Sequence, residues 1–180
     1  MSDRVEVEVK RDGRRFEATA TLDLSATPAT VWATITDYDR LSQFMPGIRA
    51  CKVLERSAQG AGERLVVEQR GEFKFLMFAQ SMTVLLHIDH QAPTTALAKA
   101  VRFDIGLLKA RALDVFEGRY DVAALGRGAA ARTHLTYTAA IVLRLPPPPG
   151  IGSMAVRQNL TAQLEAVARE AVARQRRAAA

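Results

Sequence analysis

The chain has 180 residues, 48% of them hydrophobic and 24% charged, with a net charge of +6 and a single cysteine, Cys51. Those values fit one globular domain with a real core and exclude a disulfide framework. The basic excess is scattered apart from Arg174, Arg176 and Arg177, which argues against nucleic acid as a partner because such binders carry a denser basic stripe with interleaved aromatics. No apolar run approaches the ~18 residues that span a bilayer. The opening Met1-Ser2-Asp3-Arg4 lacks the apolar stretch of a secretory signal, and a lone cysteine suits a reducing compartment, so a cytoplasmic protein is expected.

Val5, Val7 and Val9 alternate with charged residues until Arg11-Asp12-Gly13-Arg14 interrupts them. Either a hairpin-like extension or a longer first strand fits that pattern. Over 16–24, Phe16, Ala18, Ala20, Leu22 and Leu24 share one face and polar residues the other, as in a half-buried strand. Thr27-Pro28 then signals a helix start with Thr27 as N-cap, and Val31, Trp32 and Ile35 give that short helix an apolar face. Asp37-Tyr38-Asp39 turns the chain into a second short helix over 40–45, which Pro46-Gly47 stops.

Six strands are expected at about 49–57, 63–72, 78–90, 95–105, 109–122 and 131–144, with glycine- or proline-marked joints that suit an antiparallel meander. After Pro146-Pro147-Pro148-Pro149-Gly150 the pattern changes to one long amphipathic helix over 151–176. Its apolar stripe reads Met154, Leu160, Leu164, Val167, Ala168, Ala171 and Val172. One long helix after six strands has to bury that stripe against the sheet they form.

Thr27-Pro28 with Val31-Trp32, Thr36-Asp37-Tyr38-Asp39, Phe44-Met45-Pro46 and Phe116-Glu117-Gly118-Arg119-Tyr120 precede a proline loop and a Leu-rich final helix. In that order and spacing the chain resembles the START-like, helix-grip superfamily over nearly all of 16–175, and within it the polyketide cyclase/dehydrase and coenzyme Q-binding type. Tyr120 stands where such proteins often carry tryptophan. The resemblance implies an α+β fold: a curved antiparallel sheet of about seven strands wrapped around a long C-terminal helix, with two short helices after the first strand. It also implies a single domain that binds a hydrophobic small molecule, with no cofactor, and it does not by itself imply catalysis.

Alternation assigns the concave face. It takes Leu65, Val67 and Gln69, then Gln80, Met82, Val84, Leu86 and Ile88, then Leu97, Lys99, Val101 and Phe103. The following strands add Asp114, Phe116, Gly118 and Tyr120, then Thr133, Leu135, Tyr137 and Ile141. The polar members Gln69, Gln80, Lys99, Asp114 and Tyr137 need partners, since a buried unpaired polar group costs about 1–3 kcal/mol. Either they satisfy one another, with Lys99 and Asp114 as a pair, or they face a ligand, or a bulge carries one of them to the surface. Phe116, Tyr120, Met154 and Arg157 complete the candidate ligand contacts, Arg157 having snorkelling as its alternative.

Catalytic patterns are poor. His87 and His90 point to opposite faces of a strand and share no ion without a bend, so no metal site is expected. Neither Cys51 nor any serine has a nucleophile's sequence context. Three functions stay open: a binding or carrier domain for a lipid, quinone or polyketide-like molecule; a cyclase or dehydratase using Tyr137 or Asp114 for proton transfer; and an interaction protein using the basic helix end on a larger assembly. One end of the meander gathers apolar joints, including Phe75, Met77, Leu107 and Leu108. These either plug the core or form a ligand portal that docks on a membrane or a donor protein.

Overall fold

A computed structural model describes residues 4–75, 78–91, 94–105, 113–127, 132–144 and 149–180. The N-terminal alternation forms its own strand, β1 (Glu6–Asp12), which folds back on β2 (Arg15–Leu24) as a hairpin with Val7 opposite Ala20 and Val9 opposite Ala18. Helix α1 (Pro28–Ile35) starts where Thr27 accepts a hydrogen bond from the Thr30 backbone N–H. A single 3-10 turn (Tyr38–Arg40) leads into the one-turn helix α2 (Leu41–Phe44). Strands β3 (Ile48–Gln59), β4 (Gly62–Phe75), β5 (Phe78–Gln91), β6 (Thr95–Ile105), β7 (Leu113–Leu125) and β8 (Arg132–Leu143) follow. The last element is α3 (Ile151–Ala179).

All eight strands join one antiparallel sheet in the order β1-β2-β8-β7-β6-β5-β4-β3. The stretch from β3 to β8 is the expected meander. The hairpin adds one strand to the seven expected, and β8 returns to pair with β2, with Tyr137 opposite Ala20. That pairing brings the two ends of the strand sequence together and leaves β1 and β3 as the sheet's edges.

Helix α3 buries Leu160, Leu164, Val167, Ala168 and Ala171, as the stripe requires, and also Gly152, Ala155, Val156 and Ala166. Met154 is the exception: it is 58% exposed, because the first helical turn presents Gly152, Ala155 and Val156 to the core instead. The helix packs mainly on β1, β2 and α1, touches β4 and α2 lightly, and makes no comparable contact with β5 to β8. Its C-terminal half is clamped by polar contacts. Gln175 Oε1 accepts from the Thr27 backbone N–H at 3.1 Å and the Thr30 hydroxyl at 2.8 Å, while Arg174 pairs with Asp37 at 2.9 Å and Glu170 at 2.8 Å. The Arg174 guanidinium also lies 5.7 Å from the Phe44 ring centre.

Leu164 has no solvent exposure. Leu164→Ala should destabilise the protein by about 2–5 kcal/mol in chemical denaturation. Met154→Ala, on the solvent side of the same helix, should shift the midpoint far less.

Candidate functional site

Opposite residues of an antiparallel pair share a face, so the register draws bands across the inner surface. One band runs Val7, Ala20, Tyr137, Tyr120, Ala96, His90, Glu63. The next runs Val9, Ala18, Ala139, Gly118, Ala98, Ile88, Leu65. The third places Phe16, Ile141 and Phe116 side by side. Four consecutive members of the middle band, Ala18, Ala139, Gly118 and Ala98, are the smallest residues available, and bulky aromatics flank them on both sides. Phe116, Tyr120, Ile141, Ala98 and Val84 face inward yet remain only half-buried. Helix α3 packs mainly on β1, β2 and α1, to one side of these positions. Apolar surface on the inner face near the sheet's centre is thus only partly covered.

Tyr120 and Tyr137 stand together on this face, ring centres 4.5 Å apart and tilted by 40°. Tyr137 is only 7% exposed. Its ring extends over the small-residue band, and a Cβ built on Gly118 would lie 2.7 Å from its hydroxyl. Gly118 is therefore what admits the phenol tip. Burial pushes the Tyr137 hydroxyl up to about 12 and raises Tyr120 further, so both are neutral donors at ordinary pH.

The same band carries a connected polar group at its other end. His90, 6% exposed, receives the Tyr38 hydroxyl at Nε2 (2.7 Å), and its Nδ1 lies 3.0 Å from Glu63 Oε1. With a carboxylate at Nδ1, the network assigns the proton to Nδ1 and the acceptor role to Nε2. Arg56 braces Glu63 with contacts of 2.8 and 2.9 Å, and Trp32 meets the imidazole edge-on at 5.2 Å. Gly62 permits β4 to start here, since a Cβ there would meet the His90 carbonyl oxygen at 1.9 Å. Alternation with Leu86 and Ile88 signals that His90 faces inward. Its tie to Tyr38, 52 residues away, has no sequence signal.

Burial holds the His90 imidazole below its ordinary value, against the pull of Glu63. A folded-state value below the unfolded value of about 6.5 means that this contribution is whole above that pH. It is lost as pH falls below about 6.5, because the unfolded chain takes up the proton first. Thermal unfolding from about pH 7.5 to 5 should show Tm falling with acidification, and His90→Gln, which removes the titrating group, should flatten that slope.

Several sequence expectations are corrected by register. Lys99 was expected inside; its side chain is 68% exposed and pairs with Glu117 at 3.5 Å. Ala98 lies opposite the buried Ile88, so Lys99, opposite His87, and Leu97, opposite Asp89, take the outer face. An irregularity at Leu85/Leu86 reverses the parity farther along β6, placing Phe103 opposite Val84. Asp114 is likewise carried outward at a register shift between Leu113 and Val115, and it pairs with Arg14 at 3.2 Å. The expected Lys99–Asp114 pair does not form. Arg157 reaches out to the Val7 carbonyl oxygen and is exposed, and Met154 is exposed beside it. Gln69 stays half-buried on the inner side, bonded to Cys51, whose thiol burial pushes up to about 11. Phe116, Gly118, Tyr120, Thr133, Leu135, Tyr137 and Ile141 hold the inward positions expected. The side chains of Gln80 and Phe75, and all of Met77, Leu107 and Leu108, lie outside the described residues.

On the outer face, a groove of about 770 Å³ lies behind the small-residue band, where the sheet is thin. Two ion pairs form within it, Arg64 with Asp89 at 2.7 Å and Lys99 with Glu117 at 3.5 Å, as on a solvated surface. His87 lines this groove while His90 is buried within, so the two histidines do occupy opposite faces. Among the described residues, no three His, Cys, Asp or Glu side chains gather to hold a metal ion, and no helix is long and apolar enough to cross a membrane.

Solved structures share this architecture. A STAR-related lipid transfer protein from Xanthomonas axonopodis superposes with a TM-score of 0.72 at 16% identity, covering 95% of each chain. The ZhuI aromatase/cyclase from Streptomyces sp. R1128 gives 0.69 at 20% identity, covering 89% of this chain and 95% of that one. A START superfamily protein from Mycobacterium smegmatis gives 0.67 at 16% identity, covering 84% and 93%. At these identities the likeness is one of fold. No curated protein sequence matches the chain. The family model for polyketide cyclase/dehydrase and lipid transport proteins matches residues 15–172, from the start of β2 well into α3. The helix-grip fold is shared with these structures, and the chain therefore belongs to the polyketide cyclase/dehydrase and lipid transport family.

Proposed function

We propose that the protein binds or carries a hydrophobic small molecule, a lipid, quinone or polyketide-like compound, in a hollow between the sheet's centre and α3. The observation that carries this reading is the set of half-buried, inward-facing apolar residues near the sheet's centre, Phe116, Ile141, Val84 and Ala98. Apolar surface of this kind gains about 25 cal/mol per Å² when a ligand removes it from water, and pockets lined this way are the usual sites for small apolar ligands. Family membership and the lipid-transfer relative support the same reading.

The cyclase or dehydratase reading is the second one, favoured by the neutral Tyr137 hydroxyl inside the hollow and by the ZhuI neighbour. Of its two candidate proton-transfer groups, Asp114 is on the surface, tied to Arg14. A reaction that needs a base as well as an acid thus lacks one of its expected partners, and binding takes precedence. The assembly reading loses its basic helix end in part: Arg174 is paired with Asp37 and Glu170, and Arg177 with Glu170 at 3.2 Å.

Native mass spectrometry of freshly purified protein should show an added mass that organic extraction removes. Ala98→Leu gives a sharper test. In a hollow, the larger side chain should fill space, abolish Nile red binding and leave Tm unchanged or raised. In a packed core the same change should destabilise by about 1–3 kcal/mol. That result, with dye binding retained, would rule the hollow out.

A further inference from the structure

We propose that His90, Tyr38 and Glu63 form an acid-sensitive latch that holds the segment from α1 through α2 against the sheet and releases its 3-10 turn on acidification. That segment, residues 28–44, is two short helices joined by the turn Tyr38–Arg40. It is fastened on two sides. Toward α3, Asp37 pairs with Arg174 at 2.9 Å, and Gln175 Oε1 accepts from Thr27 and Thr30. Toward the sheet, the Tyr38 hydroxyl donates to His90 Nε2 at 2.7 Å. The two fastenings answer differently to protons. The α3 side is built from an arginine, carboxylates, an amide and hydroxyls, types that ordinarily keep their charge state above about pH 5. The sheet side turns on an imidazole.

In the neutral ring Nδ1 donates to Glu63 and Nε2 accepts from Tyr38. A proton at Nε2 makes that nitrogen a donor. Tyr38 must then either turn its hydroxyl to accept, which leaves a buried O–H without its acceptor, or move away and let water reach the ring. Glu63 favours the added charge, but burial of the ring and Arg56 on the same carboxylate oppose it. The other ionisable groups around the pair are Cys51 of β3 and Tyr120 of β7, both held protonated by burial, and Asp89 of β5, engaged with Arg64 on the outer face. The remaining histidines, His87 and His134, lie on the solvent side, His134 beside Asp23. Moving away requires only the three-residue turn and the one-turn α2 to lift, while Asp37 stays clipped to α3. Leu41 and Met45 leave the core with them, so the open form stays a minority. Protons then set how often the His90 end of the inner face opens, whatever that face holds.

Native-state hydrogen exchange on the full chain, followed by NMR from about pH 7.5 to 5 at several low urea concentrations and corrected for intrinsic exchange, tests the latch. The probes are the Arg40 and Met45 amides, which bond the Asp37 and Leu41 carbonyls, against Leu135 and Tyr137 in the central strand β8. Arg40 and Met45 should be less protected than the β8 pair and nearly insensitive to urea, the mark of a local opening. Below about pH 6.5, the ordinary value of a freed imidazole, their protection should fall by up to about tenfold per pH unit. His90→Gln, which keeps an acceptor for Tyr38 without titrating, should abolish that fall. Tyr38→Phe, which keeps the ring and removes the tie, should speed their exchange about fivefold at pH 7.5. If Arg40 and Met45 exchange only with the urea dependence of β8, the turn opens by global unfolding alone and the latch fails. It fails equally if they open locally without responding to pH, if His90→Gln keeps the response, or if Tyr38→Phe leaves their exchange unchanged.

Discussion

The interior of this protein depends on one register. Pairing β8 with both β2 and β7 aligns Ala18, Ala139 and Gly118, and the β6–β7 pairing adds Ala98. A slip of one residue in any of these pairs would send a strand's apolar set to the solvent side and break the band. With the register held, small residues form a transverse trough between a Tyr-rich band and a Phe/Ile band. The trough exists because of what is absent from those positions: it takes the Tyr137 ring over Gly118, and α3 packs mainly to one side of it.

The placement of α3 is set by two different kinds of contact. Apolar burial of Leu160, Leu164, Val167 and Ala171 drives the helix onto the sheet, but it is non-directional and would tolerate several positions. The polar clamp at the C-terminal half is directional. Gln175 caps the Thr27–Thr30 turn that begins α1, and Arg174 joins Asp37 to Glu170, holding the Glu170 carboxyl below its ordinary range. These bonds fix the helix against α1 at one end of the sheet, and so over β1 and β2 instead of the centre.

Polar residues near the interior were sorted by how costly each is to bury. Full charges ended outside: Lys99, Asp114 and Arg157 each reach a partner at the surface. The groups kept within are neutral or braced. Tyr38, His90 and Glu63 satisfy one another in sequence, with Arg56 at the outer end of the chain of contacts. Tyr120 and Tyr137 stay neutral on the inner face, because burial raises both hydroxyls.

Sequence by itself determined the element order from β2 onward, the capped start of α1, the meander and most of the core stripe of the last helix, because alternation and helical spacing are local properties of the chain. It also determined that Phe116, Tyr120, Tyr137 and Ile141 face inward, since no irregularity interrupts β7 and β8 between those residues. Parity failed at two register shifts. One residue is gained in β6 beside Leu85/Leu86 and one at Asp114 in β7, and each shift reverses which alternate residues face the core. Nothing in the residue types marks either place. The pairing of β8 with β2, the tie between Tyr38 and His90, and the offset position of α3 were decided only by the tertiary structure. Each joins residues far apart in the chain, and contact between them follows from which strands find each other and where the helix settles, neither of which any local pattern encodes.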